Sequence, residues 1–259
     1  MLCWAGLGPS TETTRGSRGQ KVTSGRPNPS TTDFPALTDP RTYRLFTPEQ
    51  IHPGRNLSKA TLKFYSVDGR RVALKDYGDL PFPVRNTIGR FFARREAKAY
   101  AAAVGTLGLP EFFGRVGPFA LALDWIEARP LSALASASVP ADLPQQLRRI
   151  VETLHSRGIA IGDLHHRDVL VAPDGTIHLV DLATAWATGR SPGPLRRALF
   201  HWLTDADRVA LARIEARCSG RDEHEVVLAS AGVDAARRYA RGRRVKAWWD
   251  WLRGKHRRA

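Results

Sequence analysis

Three aspartates, Asp163, Asp168 and Asp181, fall within one stretch, Ile161-Gly-Asp-Leu-His-His-Arg-Asp-Val-Leu-Val-Ala-Pro-Asp-Gly-Thr-Ile-His-Leu-Val-Asp181. Residues 169–171 and 177–180 are short apolar runs rich in β-branched side chains, and Pro173-Asp174-Gly175 between them is a strong turn signal. Antiparallel pairing sets the start of the first strand beside the end of the second. Asp168 and Asp181 therefore meet at one end of a hairpin, and the loop carrying Asp163 enters at that end. Carboxylates crowded in this way repel unless a cation lies among them, and hard oxygen donors suit magnesium. A single Asp at a strand end more often caps a turn, but the convergence of three argues for a magnesium-phosphate site. His165 and His166 raise the question of a transition metal, yet no His, Cys or carboxylate spacing follows to complete such a site. One of the two is expected to pack beneath the loop and the other to be solvated.

A second charged pair comes earlier. On a helix predicted from Asn86 to Val104, Glu96 is four residues from both Phe92 and Tyr100, on the aromatic face and away from Arg90, Arg94 and Lys98. A carboxylate beside a buried stripe needs a counter-charge. Lys75, ending the apolar run Val72-Ala-Leu, is the nearest candidate by topology. Such a pair holds an ammonium ready for phosphate oxygens. The plainer alternative is an edge-strand lysine and a solvated glutamate.

The elements that must position these groups read in order. Two strands joined at Asp68-Gly69 span 61–75, and the Asn86 helix follows. Phe119 to Ile126 is a further strand, and Glu127-Ala-Arg-Pro-Leu131 a connector. Asp142 is expected to cap a helix whose apolar face is Leu143, Leu147, Ile150, Val151 and Leu154, with Gly158 as its stop signal. After the aspartate hairpin the chain is mainly helical. This order predicts an α+β protein, a small β-rich lobe on a larger α-helical lobe with the site between them. The expected divisions are a disordered, Ser/Thr/Gly/Pro-rich leader over 1–40, a first lobe over 41–126, a second over 127–235, and a basic Trp-rich segment over 236–259.

The chain has 259 residues, of which 42% are hydrophobic, enough for a full core. Cys3 and Cys218 give no disulfide framework, and no apolar run reaches the length of a membrane span. The amino-terminal residues lack the pattern of a secretory signal. A cytoplasmic protein is expected. The formal charge of +15 is concentrated towards the end: residues 190–259 carry 17 basic and 8 acidic groups, and within 236–259 ten Lys/Arg stand against Asp250 alone. Mixed with Trp248, Trp249 and Trp251, these cations point to an anionic membrane face, with packing on the larger lobe as the alternative and nucleic acid disfavoured.

Taken together, these residues resemble the protein-kinase-like superfamily, above all its compact bacterial branches: lipopolysaccharide-core (heptose/Kdo) sugar kinases, RIO-type kinases and aminoglycoside phosphotransferases. The likeness runs from about Thr47 to Trp186. Val72-Ala-Leu-Lys75 resembles the strand ending in the phosphate-binding lysine, and Glu96 stands where the family's helix supplies its partner. Leu123–Leu131 is similar to the interlobe hinge that meets adenine. Gly162-Asp-Leu-His165 resembles the catalytic loop, which implies that Asp163 orients or deprotonates an acceptor hydroxyl. Asp181 matches the metal-binding aspartate after the hairpin.

Four departures qualify the likeness. Asp168 replaces an asparagine metal ligand. Leu182-Ala183 replaces Phe-Gly after Asp181, and no peptide-docking segment follows. The nucleotide-covering loop, Ile51 to Ala60, has one glycine, leaving Ser58 and Lys59 as its phosphate contacts. The resemblance implies ATP and Mg2+ as cofactors, with Asp168 and Asp181 holding the metal. It also implies transfer of the γ-phosphoryl group to a hydroxyl on a lipopolysaccharide-core or other lipid-linked sugar. The alternatives are a non-catalytic nucleotide-binding regulator and a RIO-like protein serine kinase.

Overall fold

The structure, a computed structural model, describes residues 46–54, 59–67, 69–135, 138–189, 192–235 and 237. The expected leader, Ser58 and the basic segment from 236 onward (apart from Arg237) lie outside the described residues.

An antiparallel sheet comes first, built from β1 (Gln50–His52), β2 (Thr61–Val67), β3 (Arg70–Asp76), β4 (Phe112–Val116) and β5 (Ala120–Asp124), in the order β1-β2-β3-β5-β4. β2 and β3 pair over their full length, with Leu62 opposite Lys75, as the hairpin signal at Gly69 predicts. Gly69 takes φ 75°, open to glycine without strain. At the far end of β2, Gly54 is required by close packing, because a Cβ there would lie 2.2 Å from the Lys59 carbonyl oxygen. The expected strand at Phe119–Ile126 is shorter, since Asp124 is the last residue paired with β3.

The expected helix begins earlier and less regularly. A turn at Phe82–Val84 runs into a π-helical segment, Arg85–Gly89, and α1 (Arg90–Ala102) follows. Pro81 and Pro83 sit in the opening turn, where a missing N–H costs nothing. Gly89 is buried against Tyr77, 3.1 Å from where its Cβ would meet that ring's Cβ. Along α1, Arg90, Arg94 and Lys98 are exposed while Glu96 and Tyr100 are buried, the division expected from spacing.

The chain leaves the sheet after Asp124. The connector contains a short strand, β6 (Arg129–Pro130), which pairs with β8 (Val169–Val171). α2 (Leu143–Ser156) buries all five residues of the expected apolar stripe, worth about 1.5–3 kcal/mol for each large side chain. Asp142 occupies the cap position but makes no side-chain cap to the backbone; its carboxylate instead accepts from the Gln146 side chain at 3.0 Å. With ψ near 2°, its backbone is already helix-like and turns the carboxylate away from the first-turn N–H groups.

β7 (Ile159–Ala160) pairs with β10 (Trp186–Ala187), bracketing the aspartate loop. β8 and β9 (Ile177–Leu179) form the expected hairpin, with Val169 opposite Leu179. Two helices close the described chain, α3 (Pro194–Ser219) and α4 (Glu223–Ala231). The protein is therefore α+β, an antiparallel sheet with one helix followed by a mainly helical region. A continuous core runs from Leu62 and Phe64 in the sheet through Leu147 and Leu154 to Leu211 and Ile214 in α3. Among the described residues, no helix is long and apolar enough to cross a membrane.

Candidate active site

Lys75 is the buried cation of β3, and its ammonium meets two carboxylates. Nζ lies 2.8 Å from Glu96 Oε1 and 2.8 Å from Asp181 Oδ1. The first acid comes from α1 and the second from the residue after Val180, so one side chain joins the sheet, the helix and the hairpin end. Lys75 and Glu96 are almost wholly buried, whereas the Asp181 side chain retains 18% exposure. The Tyr77 hydroxyl donates to Glu96 Oε2 at 3.4 Å.

Two acids sharing one ammonium cannot be equally well ionised. Burial pushes the Glu96 carboxyl up to about 7 despite its contact with Lys75. Burial also acts against Asp181, but the Lys75 charge and hydrogen bond, helped by Lys59, hold it down at about 2. The partly exposed acid thus keeps the charge, and the Lys75 ammonium stays protonated because both acids outweigh its burial.

Asp181 alone among the described non-glycine residues has a left-handed backbone, φ 66°. Aspartate tolerates this region better than most residues, at a cost of roughly 1–2 kcal/mol. The bond to Lys75, and a weaker one from the Ala183 N–H at 3.4 Å, hold the side chain in place. Leu182, next along the chain, is fully buried. Arg95, next to Glu96, donates to the carbonyls of Thr184 and Ala185, tying α1 to the segment beyond Asp181.

Asp168 joins this group from the start of β8, and its carbonyl accepts the Val180 N–H at 2.8 Å. Burial, then the neighbouring Asp181 charge, push its carboxyl up to about 7, with Asp163 adding to the rise and Lys75 and Lys59 opposing it. Asp163 is exposed. The expectation of three acids around one ion is corrected: among the described residues, no three His, Cys, Asp or Glu side chains are grouped to hold a metal. Lys75 has taken an oxygen of Asp181, and the Asp163 side chain is exposed. What remains is a pair of carboxylates, Asp168 and Asp181. Magnesium commonly takes one or two protein carboxylates and completes its shell with water and phosphate, so this pair fits that ion.

The loop carrying Asp163 is held from below by a residue that spacing alone did not single out. Asp207, 1% exposed on α3, accepts the Ile161 N–H at 2.7 Å and the Gly162 N–H at 2.8 Å, and it meets His155 Nε2 at 2.9 Å. The available signal was an acid two residues before the apolar run Val209-Ala-Leu-Ala. Gly162 must be glycine here, with φ 81° and the Thr184 carbonyl 3.1 Å from a would-be Cβ. His165 and His166 are both half-buried with ring centroids 4.1 Å apart, so neither is simply packed or simply solvated. Burial pushes His166 down to about 4, with His165 and nearby arginines adding to the effect.

No protein-family model matches the chain, and a search of curated proteins finds no match. Among solved structures, the chain is similar to the Rio2 kinase-ADP/Mg2+-phosphoaspartate complex from Chaetomium thermophilum, with 15% identity and a TM-score of 0.49, covering 77% of this chain. The chain spans 66% of the length of that kinase.

Proposed function

We propose that the protein is an ATP- and magnesium-dependent phosphotransferase acting on a hydroxyl. The observation that carries this reading is the Lys75 ammonium, buried and held 2.8 Å from both Glu96 and Asp181. A lysine so fixed serves as a point charge for phosphate oxygens. Asp168 and Asp181 would hold magnesium, which when bound neutralises phosphate charge. Lys59, at the edge of the covering loop, already acts on both carboxylates and adds a second cation on that side. Asp163 stands beside them with its carboxylate exposed, free to align an incoming hydroxyl.

In the transfer, the hydroxyl oxygen forms a bond to the γ-phosphorus as the β–γ bridging P–O bond breaks. The electron pair of that bond leaves with ADP, and the hydroxyl proton passes to Asp163. Most of the rate comes from positioning and charge neutralisation. The acceptor we propose is a sugar of the lipopolysaccharide core or of another lipid-linked glycan, met at the cytoplasmic face of the membrane through residues 236–259. The concentration of cations and tryptophans there supports that placement.

The test is ADP release by the full chain with ATP and magnesium, alongside mass spectrometry of lipid-linked glycans from cells with and without the protein. Wild type turns over, and Asp163→Ala loses about 10²–10⁴-fold while still binding nucleotide. Nucleotide binding with no turnover towards water or any acceptor would overturn the enzyme reading in favour of a regulator. Unchanged glycans would remove the sugar acceptor.

A further inference from the structure

A cavity of about 480 Å³ opens beside Asp163, towards the end of α3. Its polar lining is Asp163, His165, His166, Arg213, Arg217 and Arg221, with Glu223 at the rim, and it does not reach Lys75, Asp168 or Asp181. Asp163 is common to the two regions. Its charge acts on Asp168 on the metal side, and its side chain borders the cavity on the other. A hydroxyl entering from the cavity would meet Asp163, a residue of its lining.

The cavity is cationic by construction. Arg213 and Arg217 are one helical turn apart and so share a face of α3, and Arg221 follows just past the left-handed Gly220 that ends the helix. Arg213 donates to Glu223 at 2.6 Å, and Arg221 reaches Glu225 at 3.4 Å. Arg217 is exposed and pairs with no acid among the described residues. A guanidinium presents a planar fork of donors that matches phosphate geometry. A cationic acceptor would meet repulsion here, and a neutral one would leave the fork unused.

Resting on the phosphotransferase reading, we infer that this cavity receives the acceptor, and that the acceptor already bears a phosphate group bound by Arg217, in the manner of a phosphorylated polyol or sugar. Its free hydroxyl is then presented to Asp163. Volumes of this order suit small ligands.

Isothermal titration of the full chain holding ADP and magnesium tests this with four probes: inorganic phosphate, glycerol 3-phosphate, glycerate and glycerol. The two phosphates bind and glycerol does not. Arg217→Gln weakens glycerol 3-phosphate binding at least tenfold. Glu223→Gln, which removes an acid from the cavity lining, tightens it, an outcome misfolding does not produce. Lys98→Ala, on the exposed face of α1, changes nothing. The inference is overturned by equal binding of glycerol and glycerol 3-phosphate, by glycerate binding as tightly as the phosphate, or by an Arg217→Gln loss no larger than that of Lys98→Ala. These titrations need no turnover. Intact phosphate binding without transfer counts against the enzyme alone, and transfer without phosphate binding counts against this site alone.

Discussion

The Asp207 carboxylate accepts the Gly162 N–H at 2.8 Å, so a buried acid 45 residues further along the chain holds the turn that carries Asp163. Its other oxygen takes the Ile161 N–H and meets His155. One side chain thus satisfies two backbone donors at the point where the loop leaves β7, and a loop of this kind owes its geometry to such support.

Asp207→Ala strands those donors and leaves His155 without its partner. The expected cost is about 2–4 kcal/mol of stability, seen as a lower urea midpoint with an unchanged slope. Phosphoryl transfer should fall more than nucleotide affinity, because the displaced loop carries Asp163 and not Lys75. Equal losses in both would show that Asp207 acts only on the fold.

Lys75→Met should be the most damaging conservative-volume change at the site. It leaves the fully buried Glu96 without its bonded cation and the left-handed Asp181 with only the field of Lys59. Removing one member of a buried ion pair costs about 3–5 kcal/mol. Chemical denaturation measures that cost, and combining Lys75→Met with Glu96→Gln should restore part of it while nucleotide binding stays lost. A double variant no more stable than Lys75→Met would contradict the pairing.

Asp168 predicts a particular pH dependence. Its folded carboxyl titrates near 7 against an ordinary 3.8. Between those values the folded state keeps a proton that the unfolded chain has lost, so the metal-free protein loses stability as pH rises through this window. Asp168→Asn removes that penalty. Its stability advantage over wild type should be absent below about pH 4, grow to about pH 7 and level off at roughly 1–2 kcal/mol, the size expected for a half-buried group. Thermal denaturation against pH gives the difference curve, in which the similar rise at Glu96 cancels. Magnesium affinity of wild type should tighten over the same range, since the ion requires the ionised carboxylate. A flat difference curve would refute the assignment.

Much of this protein is legible in its residues because the decisive signals are local. Alternating and β-branched runs with Gly69 and Gly175 at their turns specify the hairpins, and the stripe from Leu143 to Leu154 specifies α2, since periodicity and turn chemistry act over a few residues. The hairpin register that brings Asp168 to Asp181 follows from the same rules. The pairing of Lys75 with Glu96 was open to inference because a carboxylate on an apolar helix face has to find a cation. Other features depend on contacts between distant segments. Only the fold gives Lys75 to Asp181 as well as Glu96, so that one ammonium bridges two acids from different elements. Only the fold runs α3 beneath the aspartate loop, making Asp207 its support and turning Arg213 and Arg217 towards Asp163. Local pattern encodes which elements form and which faces they bury, whereas the charge state of a buried acid is set by whichever group the remote chain brings within about 3 Å of it.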